Sequence, residues 1–245
     1  MTTFDFQDRK GPVPAHQHVN GGGWVADTAN VADTVFVGPN ARVWGKAKVL
    51  DHVILHDDAT VSGHAHVSAT VHIRGHAEVS GFAKVSGCAS VENARVIDNA
   101  EIGGKASVSG NAIVSGHAKV WGNAQVRDNA YVSEDADVHG FATISGDAEV
   151  MGNATIFEGA GVSGKAKVFG TAEVSGRADI VGNAVINGDA KVFGNATVSG
   201  NALVCGDAKV GDSMIVCGND VLVGNEVLID NIDIIHSSMD IESAI

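Results

Sequence analysis

The sequence predicts an all-β solenoid, a parallel β-helix of triangular coils with about 18 residues each. Three observations carry this. Every sixth residue from Ala94 to Ala208 is alanine, and two residues after each alanine stands a valine or isoleucine, from Val96 to Val210. The next three residues are mostly x-Gly-(Asn, Asp, His or Lys), as in "AKVWGN" and "ATVSGN", types that tolerate positive φ and tight turns. A glycine in nearly every hexad costs a helix about 1 kcal/mol each, so a long helix is excluded.

Within a hexad, alanine and valine lie two apart and point the same way on extended backbone, while the residue between them points outward. Each hexad is therefore a three-residue strand followed by a three-residue corner. Strands this short hold only when the next coil stacks on them at about 4.8 Å. Three hexads close one coil, with alanine near the narrow vertex and valine along the axis.

Residues 1–22 do not repeat and carry two of the 3 prolines. They are expected to cap the first coil, because an open end exposes unpaired strand edges. His16 and His18 in this stretch have the i, i+2 spacing of a metal half-site, set against a plain capping loop. The β-helix is expected over residues 23–231. Valines 25, 31, 37, 43 and 49 are in register, and Leu55 through Val91 continue it. The step from Val91 to Val96 is five residues, so the corner at Glu92–Asn93 has lost one. After Val216 the register is expected to slip the other way, with Val221/Val223 and Val227/Ile229 as inward pairs. Roughly twelve coils predict a rod about 55–60 Å long. Residues 232–245, rich in isoleucine but without glycine corners, are expected to cap the last coil or to meet a second subunit.

Composition narrows the function. A net charge of −13 argues against nucleic-acid or anionic-membrane partners, which require a basic stripe. No charged-then-apolar leader or bilayer-length apolar run is present. Cys88, Cys205 and Cys217 fall on outward corners of different hexads, and an uneven set of this kind suits a reducing compartment. A bacterial cytoplasm is therefore expected, with a virion as the other setting.

Stacking by 18 sorts the outward residues into three rows. Lys84, Glu101, Lys119, Asp137, Thr155, Glu173 and Lys191 alternate in sign, as a solvated ladder does. Ser90, Ser107, Gln125 and Thr143 begin a small polar row without the threonine ranks of an ice-binding surface. The third row, from Ile113 and Tyr131 to Val185, Leu203 and Val221, turns apolar toward its C-terminal end. On the corners, Trp121, His139, Phe157, Ser175 and Phe193 share a column, and Met151 and Phe169 another. Corner aromatics cannot reach the interior. Trp121, Phe157, Phe193, Phe169 and Leu203 are therefore the expected interface of a homo-oligomer, a trimer or dimer.

The most chemically loaded place lies at the five-residue step. Stacking puts Asp58 under His76, and Arg74 between His56 and Glu92, with Asp57 beside them. Carboxylate, imidazole and guanidinium within one strand spacing can hold an anion or act as an acid–base pair, or simply tie the corners together. His56, Asp58 and His76 are the catalytic candidates, and Asp57, Arg74 and Glu92 the ligand-binding ones.

Residues 22–231 resemble the hexapeptide-repeat superfamily of single-stranded left-handed β-helices. The wording "GGGWVADTANVADTVFVGPNARVWGKAKV" is similar to the YdcK-like bacterial and prophage subgroup, labelled acyltransferase-like. The resemblance implies the left-handed coil. It also implies transfer from coenzyme A by a histidine base, usually in trimers with a loop that breaks the coil. Here no loop of even three residues interrupts the repeat between Val25 and Val216. Zinc-dependent relatives would need histidines five apart, whereas His52/His56 and His72/His76 are four apart, so no metal is expected. The leading expectation is a non-enzymatic rigid rod for binding or assembly, without cofactor. A coenzyme-A-dependent acyltransferase using His76 or His56 is the alternative, and a small-ligand sponge the second.

Overall fold

The computed structural model describes residues 2–225 and 227–229, so the expected C-terminal cap at 232–245 lies outside the described residues. From Trp24 onward the chain runs in strands of two or three residues, and strands three apart in order pair in parallel to form three flat faces. Face 1 runs from Trp24–Ala26 to Val221–Val223, face 2 from Asn30–Val31 to Val227–Leu228, and face 3 from Phe36–Val37 to Ile215–Val216. The described residues form eleven complete coils and two faces of a twelfth. The described residues form no helix long and apolar enough to cross a membrane.

The three sequence rows are the outward residues of faces 2, 3 and 1 respectively, as the pairings Lys119↔Asp137, Gln125↔Thr143 and Ile113↔Tyr131 record. Hydrogen bonds run along the rod. Lys119 N–H donates to Ala136 O (2.8 Å), Trp121 N–H to Val138 O (2.9 Å) and, at the corner, Asn123 N–H to Gly140 O (2.7 Å). Each coil is thus satisfied by its neighbours and has little structure alone. The repeating alanine and valine or isoleucine side chains fill one continuous core and are essentially unexposed from Ala41 to Val210.

From Gly45 onward the middle corner residue takes positive φ, as at Gly122 (φ 70). A Cβ there would come within 3.0 Å of the Gly140 backbone in the coil above. Asp51, Asp57, Asp98, Asp128, Glu134 and Glu158 also stand at this position with positive φ. Their carboxylates accept the backbone N–H of the residue eighteen positions on, as from Asp128 to Gly146 at 3.0 Å and from Glu134 to Gly152 at 2.8 Å. Short polar residues bear the left-handed conformation at least cost.

At the N-terminus β1 (Thr3–Phe4) pairs antiparallel with β2 (Val13–Gln17), and β2 pairs antiparallel with β3 (Trp24–Ala26) at the start of face 1. Phe4 stacks on Trp24 (4.5 Å between centroids) and Phe6 on Trp44 (5.5 Å). These two contacts lay the hairpin along the outside of face 1. His16 Nδ1 lies 2.8 Å from Asp27, whereas the buried His18 turns to the Asn20 backbone, so the two imidazoles serve different local contacts.

The step at Glu92 is as expected: Val79 pairs with Val96, a spacing of 17. The slip expected after Val216 does not occur. Val204 pairs with Leu222 and Val210 with Leu228, so the hexad register continues unbroken. Leu222 is buried, whereas Val221, Val223 and Val227 are about half exposed, and Ile229 is exposed as well. The alanine slots of these hexads hold Met214 and Asp220, which hides the register in the sequence. Asp220 is tolerated because its carboxylate accepts the Cys217 N–H at 3.3 Å.

Candidate functional site: face 2 and its corners

Stacking brings together two of the pairs expected at the five-residue step. The Arg74 guanidinium lies 2.8 Å from the Glu92 carboxylate, and His76 Nδ1 lies 3.5 Å from Asp58. The other two members point elsewhere. Asp57 accepts the Gly75 N–H at 3.0 Å, and His56 packs against the Phe36 ring at 5.0 Å. The side chains of His76 and Asp58 are 81% and 53% exposed, so this pair is a solvated contact of small energy. No group of three or more His, Cys, Asp or Glu placed to hold a metal ion occurs among the described residues.

The expected interface residues divide in a similar way. Trp121 leans over Gly103, where a Cβ would meet its ring at 2.3 Å, and Phe193 leans over Gly211 in the same manner. Phe157 stacks on His139 at 5.4 Å. Trp121 keeps 37% exposure, while Phe157, Phe169, Phe193 and Leu203 are half-buried. The most exposed phenylalanines are two that column reasoning passed over, Phe82 (59%) and Phe141 (70%). Each stands in the third corner position, and the signal was a phenylalanine in a column of histidine, asparagine, aspartate and lysine.

Phe82 belongs to a groove of about 830 Å³ along face 2. One wall is the outward row Lys48, His66, Lys84, Glu101, Lys119 and Asp137. The other is the adjoining corner row Lys46, His64, Phe82, Asn99, His117 and Asp135. Phe82 stacks on His64 at 4.8 Å with the rings nearly parallel. Lys84 is paired with Glu101 at 2.7 Å, and His117 approaches Asp135 at 3.8 Å. Lys46 and Lys48 are exposed and meet no carboxylate within 4.0 Å among the described residues. The groove is therefore polarised, cationic at its N-terminal end and anionic at Asp135 and Asp137. On the other edge of face 2, a shallower groove of about 690 Å³ gathers His139, Phe141, Phe157, Glu158 and Arg177. Both corners of face 2 thus carry exposed aromatic rings, a relation that reading one row at a time does not reveal.

Comparison with known families finds the YdcK beta solenoid repeat at residues 190–206, close to one full coil that passes over faces 2, 3 and 1 in turn. No curated protein matches the chain. The matched repeat and the three-faced coil of hexads together fit a hexapeptide-repeat, YdcK-like β-helix.

Proposed function

We propose that the protein is a non-enzymatic rigid rod that works by lateral association with further copies of itself. The observation that carries this reading is the exposure of Phe82, Trp121 and Phe141 on the two corners of a single face. Among the described residues the solenoid core takes its apolar side chains from the alanine and valine slots, so these rings add nothing to it. Apolar groups left outside a filled core mark partner contacts. The ionisable groups at the five-residue step support the same reading. They contact neighbouring corners and backbone N–H groups, and the paired side chains stay largely open to solvent, so burial does not prepare them for proton transfer.

Sedimentation across a range of concentrations tests the proposal. The expected result is a reversible oligomer that weakens when Trp121 and Phe141 are replaced by serine. A strict monomer overturns it. Micromolar acetyl-coenzyme A raising the melting temperature, with the rise lost in His76→Ala, also overturns it and favours an acyltransferase.

A further inference from the structure

We infer that face 2 is a self-complementary surface on which a second copy of this chain packs with its rod axis reversed. This rests on the self-association reading and adds to it the face, the symmetry and the contacts.

Charge changes sign along the groove, from Lys46 and Lys48 at one end to Asp135 and Asp137 at the other. Lys48 and Asp137 lie on face 2 five strand steps apart, about 24 Å. Consider a two-fold axis lying in the plane of the face, perpendicular to the rod and between the strands of Lys84 and Glu101. It leaves each row of residues over the same row of the other copy and reverses its order. Lys48 then meets Asp137, Lys46 meets Asp135, and Lys84 meets Glu101. Every one of these couples opposite charges, and every one occurs twice by symmetry. The remaining couples, His66 with Lys119, His64 with His117 and Phe82 with Asn99, place no carboxylate against a carboxylate. The other two-fold arrangement, with its axis along the rod, sets Lys46 and Lys48 against their own copies. Like charges so placed are strongly disfavoured, so the charge order selects the antiparallel arrangement.

Two further observations agree. Among the described residues Lys46 and Lys48 have no carboxylate within 4.0 Å, whereas the central Lys84–Glu101 pair is already closed within the chain. The ends of the groove, which most need a partner, are the ends that the second copy supplies. The same packing also covers Phe82 near its centre and carries the corner of Phe141 over the corner from Leu50 to His52. One arrangement therefore accounts for both the charge order and the exposed rings. An interface that is the same patch on both partners closes as a dimer.

Charge reversal in complementary halves tests this. In Lys46→Glu/Lys48→Glu and in Asp135→Lys/Asp137→Lys, both ends of the homodimer become repulsive, and the dissociation constant is expected to rise by about 100-fold or more. Mixed one to one, the two variants restore every opposite-charge couple and are expected to re-form a dimer. Lysine already occupies the position of Asp137 in the adjacent coil, at Lys119, and three coils on, at Lys191, so the coil accepts it. Should a reversed variant fail to fold, zero-length carbodiimide cross-linking of the native protein decides instead. A bond from Lys46 or Lys48 to Asp135 or Asp137 must join two copies, because the span within one chain is too long; cross-links confined to other pairs overturn the inference. Self-association unaffected by either reversal overturns the inference and leaves the assembly reading standing. A native monomer at all concentrations overturns both. A monomer whose melting temperature rises with inorganic phosphate assigns Lys46 and Lys48 to a small anion instead.

Discussion

The side-chain carbonyl of Asn93 accepts the backbone N–H of His76 at 3.0 Å, a bond that other corners make with a backbone carbonyl, as His64 does with Gly81 at 2.7 Å. Asn93 thus replaces a missing peptide with its own amide and keeps the stack continuous where the corner is one residue short. The fit is close. A Cβ on Gly75 would come within 2.1 Å of Asn93 Oδ1, and Gly75 also has positive φ.

Replacing Asn93 by alanine removes the acceptor and leaves a β-carbon at φ 53 without the local hydrogen bonding that makes this conformation tolerable. We expect a loss of about 1 kcal/mol in denaturant unfolding, the worth of one ordinary hydrogen bond. Asn93→Asp keeps an acceptor oxygen and should stay closer to the native midpoint. Equal losses in the two variants would show that the side-chain carbonyl is not what closes the corner.

The acidic residues at positive φ make a related prediction. Asp128 has φ 62, and its carboxylate holds the Gly146 N–H. Asp128→Gly gives up the bond but removes the backbone strain, whereas Asp128→Ala gives up the bond and keeps the strain. The alanine variant should be less stable than the glycine variant by about 1 kcal/mol. Chemical denaturation of the pair measures this directly, and the reverse order would contradict it.

How much of this was legible in the sequence follows from what each position depends on. Inward residues depend only on their own hexad. Ala118 and Val120 are two apart on a three-residue strand, with a glycine corner behind them, and that is enough to place both in the core. Corner residues depend on the coil above or below. Trp121 is only partly exposed because residue 103 is glycine, eighteen positions earlier. The groove needs two rows at once: Lys48 alone reads as part of a solvated ladder, and only Lys46 beside it makes a wall. The C-terminal register is hidden in the sequence because Asp220 stands in an alanine slot, and a hydrogen bond to Cys217 rather than apolar character keeps it there.

The contact between Trp121 and Gly103 can be isolated by a double-mutant cycle. Gly103→Ala places a methyl group where the indole ring lies, so the ring must swing outward. We expect reduced stability together with a red shift in tryptophan emission. In the Trp121→Ala background the same substitution should cost little, because the space is then open. Equal costs in both backgrounds would mean that the alanine acts on the backbone and not on the ring.

The register of the last described coil can be tested by exchanging polarity on its two sides. Leu222 is buried against the end of the core, whereas Val221 and Val223 are about half exposed. Leu222→Ala should cost about 2–5 kcal/mol locally, as buried large-to-small changes do. Val221→Ser should stay within about 0.5 kcal/mol, as surface substitutions do. At the end of a solenoid a coil can fray without unfolding the rest, so for Leu222 the global midpoint is a poor measure of the damage. Hydrogen exchange of the segment from Leu203 to Val223 is the better one. The Leu203 amide donates to Asp220 and the Ser199 amide to Val216, and both bonds are held by the coil that Leu222 anchors. Leu222→Ala should speed exchange at Leu203 first and at Ser199 less, leaving Lys119 unchanged. Faster exchange from Val221→Ser than from Leu222→Ala would restore the slipped register, with Val221 and Val223 facing inward.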